Sequence, residues 1–352
     1  MSEPAASDPV SRKPKTWLKI FIPIFTILLL ILSLEIVLRV LDSQPKRDWF
    51  HRQPLLEISG NPLFNLYYAD EQYPKIPHSN RDYPGYVSAI RDQYYHPQKP
   101  ANTFRILGTG DSFAWGWGVF DTRMIFFKRL ECWFQAEKRQ TKIEVINAAQ
   151  PAWSTWDEEK MLDGFGYGLD PDLVILSYNL NDGAHFHGIA TFNAWAEMRV
   201  KKRENWLHKI SYLYRFIDVR ITRAHVHNWT VQTYHDSYLG TRQNLWNVGK
   251  DCLLRISRQC KKRNITLVVS IFPLLVSLEK KEYLFAREIQ VIEAFLKKHN
   301  IICHNMLPDF MGKKSESLWT LPTDSHPNER GHQIAAESLY RFLSQNHLLP
   351  EQ

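Results

Sequence analysis

The sequence is poor in cysteine, with four in 352 residues, and none of them stands in a CxxC pair or at zinc-ligand spacing. That argues against a structural zinc module. Cys252 and Cys260 fall on one predicted helix, about 12 Å apart along its axis, too far to bridge. With Cys132 and Cys303 they read as buried free thiols. Internal repeats and low-complexity tracts are missing. So are phosphate loops and dinucleotide fingerprints: "GTGDSF" lacks the lysine and the third glycine of a phosphate cradle, and no cofactor is expected. The G-x-S-x-G elbow of α/β-hydrolases is also missing, because Ala114 stands where its second glycine would be. The net charge is +7, but groups such as "VKKREN" and "CKKRN" are short and scattered. They read as a solvated basic surface that suits an anionic partner without requiring one, and no nucleic-acid partner is expected.

One long apolar run is present. Ile20 to Leu34 is interrupted only by Pro23, Thr26 and Ser33, and flanking residues extend it to a span of about 20 residues, enough to cross a bilayer. Glu35 falls near one interface. Arg12, Lys13, Lys15 and Lys19 precede the run, whereas Arg39, Lys46 and Arg47 follow it mixed with Asp42 and Asp48. The excess before the run argues for a cytoplasmic N-terminus and an exported body. A cleaved signal peptide is the rival, but the run is long for one and no small-x-small cleavage site follows it. The expected organisation is a cytoplasmic tail over 1–16, a transmembrane anchor over 17–40 and an irregular stalk over 41–101. The anchor would sit in the inner (plasma) membrane, with the lipid bilayer as its partner and the body in the periplasm.

From Phe104 onward the rhythm changes. Five short apolar, β-branched runs appear: "FRILGTG", "IEVINAA", "LVILSYN", "TLVVSIF" and "IICHNM". Helical segments lie between most of them, and "ERGHQIAAESLYRFLSQN" closes the chain. Strands alternating with helices predict a parallel sheet covered on both faces. A long aromatic and basic stretch, about 183–241, reads as an insertion that could cap the sheet or grip a substrate.

In open α/β sheets, ligands bind at the carboxyl ends of the strands. Gly110-Asp111-Ser112 follows the first run, "NAAQPAWST" the second and "NLNDG" the third; "TDSHPNERGH" precedes the last helix. A serine, small-residue turns, an asparagine and an Asp/His pair would meet on one rim. Acyl transfer needs those groups. A histidine takes the proton of a serine hydroxyl, a carboxylate orients the histidine, and N–H donors hold the oxyanion. Ser112, Asp324, His326 and Asn181 are the candidates. Asp111 reads as a structural hydrogen-bonding residue rather than a base.

These blocks resemble the four of the SGNH hydrolases, also called the GDSL esterase family. "GDSF" matches the first block and implies Ser112 as nucleophile, with its own N–H as an oxyanion donor. In the second block Ala152 stands at the family's glycine, with Ala149 as the other register. In the third, "NLND" places Asn181 at the oxyanion carboxamide, and Asn179 replaces a glycine. In the fourth, "DSHPN" puts Asp324 two residues before His326, while Thr323 occupies the usual spacing. The resemblance implies a three-layer α/β/α sandwich with a parallel, flavodoxin-like sheet over 102–352, preceded here by one transmembrane helix. It also implies an esterase acting through a Ser112 acyl-enzyme with His326 as base and Asp324 orienting it. The oxyanion hole would be Ser112, Ala152 and Asn181. The substrate would be an acyl ester, of which O-acetyl groups on cell-surface polysaccharide are the example that related anchored proteins suggest. An O-acetyltransferase with the same triad and a non-catalytic carbohydrate-binding or assembly protein on the same scaffold are the other readings.

Weaker features surround this set. Trp115 and Trp117 follow the serine and could stack on a sugar or an acyl chain, or pack in the core. His185/His187 and His225/His227 are His-x-His pairs, but no carboxylate or cysteine cluster supports a metal site, and none is expected. His185 and His187 read instead as substrate-pocket residues.

Overall fold

The computed structural model describes residues 16–42, 92, 95–96, 98–137, 139–183, 205–321 and 324–351. The chain divides into two compact units, Met1–Arg47 with Arg199–Ala224, and Asp48–Met198 with His225–Gln352. The N-terminal tail, nearly all of the expected stalk, 184–204 and Thr323 lie outside the described residues.

In the first unit, helix α1 (Thr16–Asp42) is long and apolar enough over Trp17–Leu41 to cross a membrane, and none of that stretch is buried within the molecule.

The second unit is built on a sheet of five parallel strands: β1 (Thr103–Gly110), β2 (Lys142–Asn147), β3 (Leu173–Tyr178), β4 (Thr266–Ile271) and β5 (Ile302–Asn305), in the order β2-β1-β3-β4-β5. Every residue of β3 is buried, as is β1 from Arg105 onward. Burial on both faces is why these strands read as unbroken apolar runs rather than alternating ones. The order is that of flavodoxin-like sheets, whose switch point lies between β1 and β3.

Helices α3 (Phe126–Ala136), α4 (Thr155–Gly164), α7 (Gln243–Lys262), α8 (Ala286–Lys298) and α10 (Glu329–Gln345) flank the sheet; α3 packs with α10 and α4 packs with α7. Short helices α2 (Ser112–Trp115), α5 (Trp206–Ile210) and α9 (Leu307–Phe310), and the long α6 (Tyr212–Tyr238), complete the set. Helix α7 buries Trp246, Gly249, Cys252, Leu253, Ile256 and Cys260 on one face, the spacing of an amphipathic helix. Within the stretch expected as an insertion, the described residues are helical from Trp206 to Tyr238 apart from Ser211.

The sequence pattern left α4 unrecognised, although its start carries a signal. Asp157 Oδ2 accepts from both the N–H and the hydroxyl of Ser154 at 2.9 Å, closing a box at the helix entry. All four cysteines are free; Cys252 and Cys260 are buried as expected, but Cys303 is only partly buried and Cys132 is exposed, because α3 turns Phe127, Leu130, Glu131 and Phe134 inward and leaves Cys132 outside that stripe.

The chain leaves β1 through Gly110, at φ 154, beside Ser177 of β3. A Cβ there would lie 2.7 Å from the Cβ of Ala114 and 3.0 Å from the Cβ and carbonyl oxygen of Ser177. Both the dihedral and the space therefore demand glycine. Gly110→Ala is expected to lower unfolding stability by roughly 1–3 kcal/mol, through overpacking and backbone strain. Denaturant melts of the two full-length proteins measure it, and equal midpoints would remove the constraint.

Candidate active site

Ser112 opens α2 immediately after β1. Asp111 caps the helix, its Oδ1 accepting the N–H of Phe113 at 2.8 Å, and Gly116 closes it in a left-handed conformation. Asn147, at the end of β2, donates its amide to the carbonyl of Ala114 at 2.9 Å, tying the second block to the helix that carries Ser112.

His326 comes from an element that sequence pattern did not show. Strand β6 (Trp319–Leu321) pairs antiparallel with β7 (Asp324–Pro327), and the segment that reads as a loop is the second strand of this small ribbon. The pairing aligns Leu321 with Asp324 and Trp319 with Pro327. Asn328 then caps α10 by accepting from the N–H groups of Arg330 and Gly331. His326 is thus held between a paired strand and a capped helix.

Ser112, His326 and Asp324 form one hydrogen-bonded row. Ser112 Oγ lies 2.8 Å from His326 Nε2, and His326 Nδ1 lies 2.5 Å from Asp324 Oδ1, which also accepts the backbone N–H of His326 at 3.2 Å. The two-residue spacing from Asp324 to His326 is therefore compatible with direct contact between their side chains. The Trp117 indole N–H donates to the same Asp324 carboxylate, and the Trp117 and His326 ring centroids are 6.0 Å apart. Phe113 packs on the other ring contact of His326, at 5.2 Å. Trp117 is 5% exposed. Its role as a carboxylate donor has no signal in the sequence beyond its nearness to Ser112. Trp115 is 1% exposed and packs in the core, so its placement is that of a core residue rather than a substrate contact.

The second and third blocks reach the same rim. Ala152 adopts φ 65, a left-handed conformation that favours glycine, whereas Ala149 does not and is fully buried. The backbone at Ala152 thus has the conformation that explains a glycine in this turn. After β3, Leu180–Gly183 forms a 3₁₀ turn. Asp182 Oδ2 accepts the Asn179 N–H, Asn179 Oδ1 accepts the Leu180 N–H, and Tyr238 Oη donates to the Leu180 carbonyl while accepting the Gly183 N–H. Asn181 is carried on this turn. Its amide nitrogen donates to the Trp153 carbonyl at 3.4 Å, and its side chain hydrogen-bonds the Asp111 carboxyl. Asn181 is therefore one residue removed from Ser112 through Asp111. His185 and His187 lie outside the described residues, as do the side chains of His225 and His227.

Electrostatics separate the carboxyls around this row. Burial raises Asp111, Asp182 and Glu158 above the ordinary carboxylate range, and their mutual repulsion adds to it for Asp182 and Glu158. Asp324 goes the other way: burial would raise it, but the His326 charge, the His326 hydrogen bonds and the Trp117 indole hold it below. Burial would likewise lower His326, but the Asp324 charge and hydrogen bond and the Asp111 charge hold it above its usual value. Among the described residues, no group of three or more His, Cys, Asp and Glu side chains could hold a metal ion. Chemically the row can take a proton from Ser112 Oγ onto His326 Nε2 while the carboxylate steadies the imidazolium.

No protein-family model matches the chain, and no curated protein matches it. The solved structures similar to it include GDSL lipolytic proteins, esterases and acylhydrolases. One is a lipolytic protein of the G-D-S-L family from Desulfitobacterium hafniense DCB-2, with 14% identity over 67% of this chain and 98% of that one, at a TM-score of 0.40. Another is an acetyl xylan esterase, with 11% identity over 68% and 100% of the two chains, at 0.43. A third is a two-domain esterase active on acetylated mannans, with 12% identity over 71% of this chain and at 0.43; the chain spans about half, 52%, of that protein.

The electrostatics can be checked directly. Removing the Asp324 charge deletes the main influence that raises His326 and leaves burial, which lowers it. The His326 imidazole is expected to titrate above 6.5 in the native protein and at lower pH in Asp324→Asn, as followed by histidine-selective NMR. An unchanged midpoint would contradict this account.

Proposed function

We propose that the chain is a serine esterase of the SGNH/GDSL type, anchored to a membrane by α1, that cleaves acyl esters through a Ser112 acyl-enzyme. The single observation that carries the reading is the row Ser112–His326–Asp324, with Ser112 just past the carboxyl end of the parallel strand β1. His326 would accept the Ser112 proton as Oγ attacks the ester carbonyl, then return it to the departing alcohol. Water, activated by the same imidazole, would release the acid and restore Ser112. Asp324 would keep the proton on Nδ1, so that Nε2 stays the acceptor. The N–H groups of Ser112 and Ala152 and the Asn181 carboxamide would hold the oxyanion. The substrate class suggested by the motif resemblance is O-acetyl esters on a cell-surface polysaccharide. The charge pattern around α1 supports a cytoplasmic N-terminus with the α/β unit outside, in the periplasm.

A fluorophosphonate probe tests the nucleophile. The full-length protein is expected to be labelled and Ser112→Ala to be left unlabelled; equal labelling, or none in either, would sink the proposal and favour a binding protein. Acetate release from acetylated polysaccharide, measured with and without an acceptor sugar, then separates hydrolysis from transfer.

Three further outcomes follow from the row. Asp324→Asn is expected to lower kcat by roughly 10⁴, the loss seen when a triad carboxylate is neutralised. Trp117→Phe keeps the ring and removes the donor to Asp324. It should lower kcat by roughly tenfold or more, the scale of one hydrogen bond to a charged group, with little change in KM. A fall in KM-dependent binding alone would instead place Trp117 in a substrate contact. Because His326 must be neutral to act as base, kcat/KM should rise with pH through a midpoint above 6.5. A reporter fused after Gln352 tests the orientation, since activity on the cytoplasmic side would reverse it.

A further inference from the structure

Helix α1 carries a carboxylate close to the end of its apolar stretch, and its partners lie on a distant part of the chain. Glu35 accepts from the Ser211 hydroxyl at 2.9 Å and from the N–H groups of Tyr212 and Leu213 at 2.8 Å. Arg39, one turn on, donates to Glu35 at 3.0 Å and to the Ile210 carbonyl at 2.5 Å. Tyr212 and Leu213 are the first residues of α6. Their N–H groups lack partners within the helix, so Glu35 caps α6 from α1.

The depth of this cap is informative. Glu35 precedes Leu41, the end of the apolar stretch, by six residues, or about 9 Å of helix. The backbone at 210–213 is therefore held beside the apolar stretch rather than beyond its end. In a layer poor in water, both an ionised side chain and free helix N–H groups need such partners.

The chain around the cap has the composition of that layer. Trp206 is 64% exposed and Ile221 65%, and Ile210, Phe216 and Ile217 are also exposed. Trp206 and Ile210 are four residues apart, as are Ile217 and Ile221, so each pair shares a helix face. Cations are interleaved with them. Lys209 and Arg220 are exposed. Arg220 stacks on Phe216 at 3.3 Å, and Arg215 and Arg39 stack on Tyr212 at 3.8 and 4.9 Å. Long cations laid over aromatic and apolar neighbours suit a boundary where the stem meets acyl chains and the head meets lipid phosphate.

We propose that residues 206–221 form a membrane-interface element, docked by Glu35 into the headgroup layer at the C-terminal end of α1. Its occupant is the phospholipid bilayer, with the exposed apolar side chains toward acyl chains and Lys209 and Arg220 toward phosphates. Interfacial helices of this kind bury their apolar face by about 5–10 Å, which matches the depth of the cap. The proposal rests on α1 spanning the membrane.

The test uses the full chain in vesicles of phosphatidylcholine and phosphatidylglycerol. Single nitroxide labels are placed through Ile210→Cys and Ile221→Cys, with Cys132→Ser and Cys303→Ser removing the accessible thiols. Oxygen, which concentrates in lipid, is expected to relax both labels more than a water-soluble nickel chelate does. Glu35→Ala should shift the balance toward the chelate while the chain still resists carbonate extraction. Labels relaxed mainly by nickel in a carbonate-resistant native chain would overturn the proposal and leave the span standing. Spin–spin broadening that disappears on dilution with unlabelled chain, without oxygen access, would assign the face to a second copy and also overturn it. Extraction of the native chain by carbonate would remove the span, and the proposal with it.

Discussion

The architecture of the candidate site depends on how the chain leaves β1. That strand is buried on both faces and lies between β2 and β3, at the point where the strand order reverses. In sheets of this order ligands bind beyond the carboxyl ends of the strands at that point. Gly110 lets the backbone pass against Ser177 and Ala114 with no side chain in the way. Asp111 then accepts the N–H of Phe113, the second residue of the next helix, and Ser112 opens that helix. Every other group at the site is brought to a position set by this turn.

The elements that bring them are unlike one another. Asn147 ties β2 to α2, Tyr238 closes the turn that bears Asn181, and the β6–β7 ribbon carries Asp324 and His326. Only the last supplies the row's histidine and carboxylate. It is short, and alone such a ribbon would be marginal. Its second strand runs through Asn328 into α10, a long helix packed on α3. The position of His326 is thereby referred to the core, although the histidine itself stands on a ribbon outside the main sheet.

Much of this was legible in the sequence because burial wrote it there. The five strands are continuous apolar runs, since a parallel sheet covered on both faces leaves no polar alternation. The helices α7, α8 and α10 show their apolar stripes equally plainly. Ser112, Asn181 and His326 could be singled out because each follows or precedes a recognisable element. What was not legible depends on contacts between distant segments. Strand β7 has only four residues, three of them partly exposed, no apolar run, and a partner that only the fold supplies. The donor role of Trp117 and the cap that Glu35 makes on α6 are of the same kind. Trp115 and Trp117 are alike in sequence, two residues apart, yet one packs in the core and the other holds the carboxylate.

The carboxyls near Ser112 show how the environment selects one among several. Asp111, Glu158 and Asp182 are all buried, and each is shifted toward its neutral form. Among the described residues, no donor hydrogen-bonds either oxygen of Glu158. Asp324 is also partly buried, but it alone meets His326 through side-chain and backbone donors and the Trp117 indole together. Were the buried three ionised, they would add negative potential behind Ser112 and oppose the oxyanion that the proposed chemistry must form. Their displacement toward the neutral form weakens that opposition, while Asp324 is displaced toward the charged form beside His326. Groups of one chemical type are thus driven apart in pKa by burial and hydrogen bonding, the separation on which acid–base roles rest.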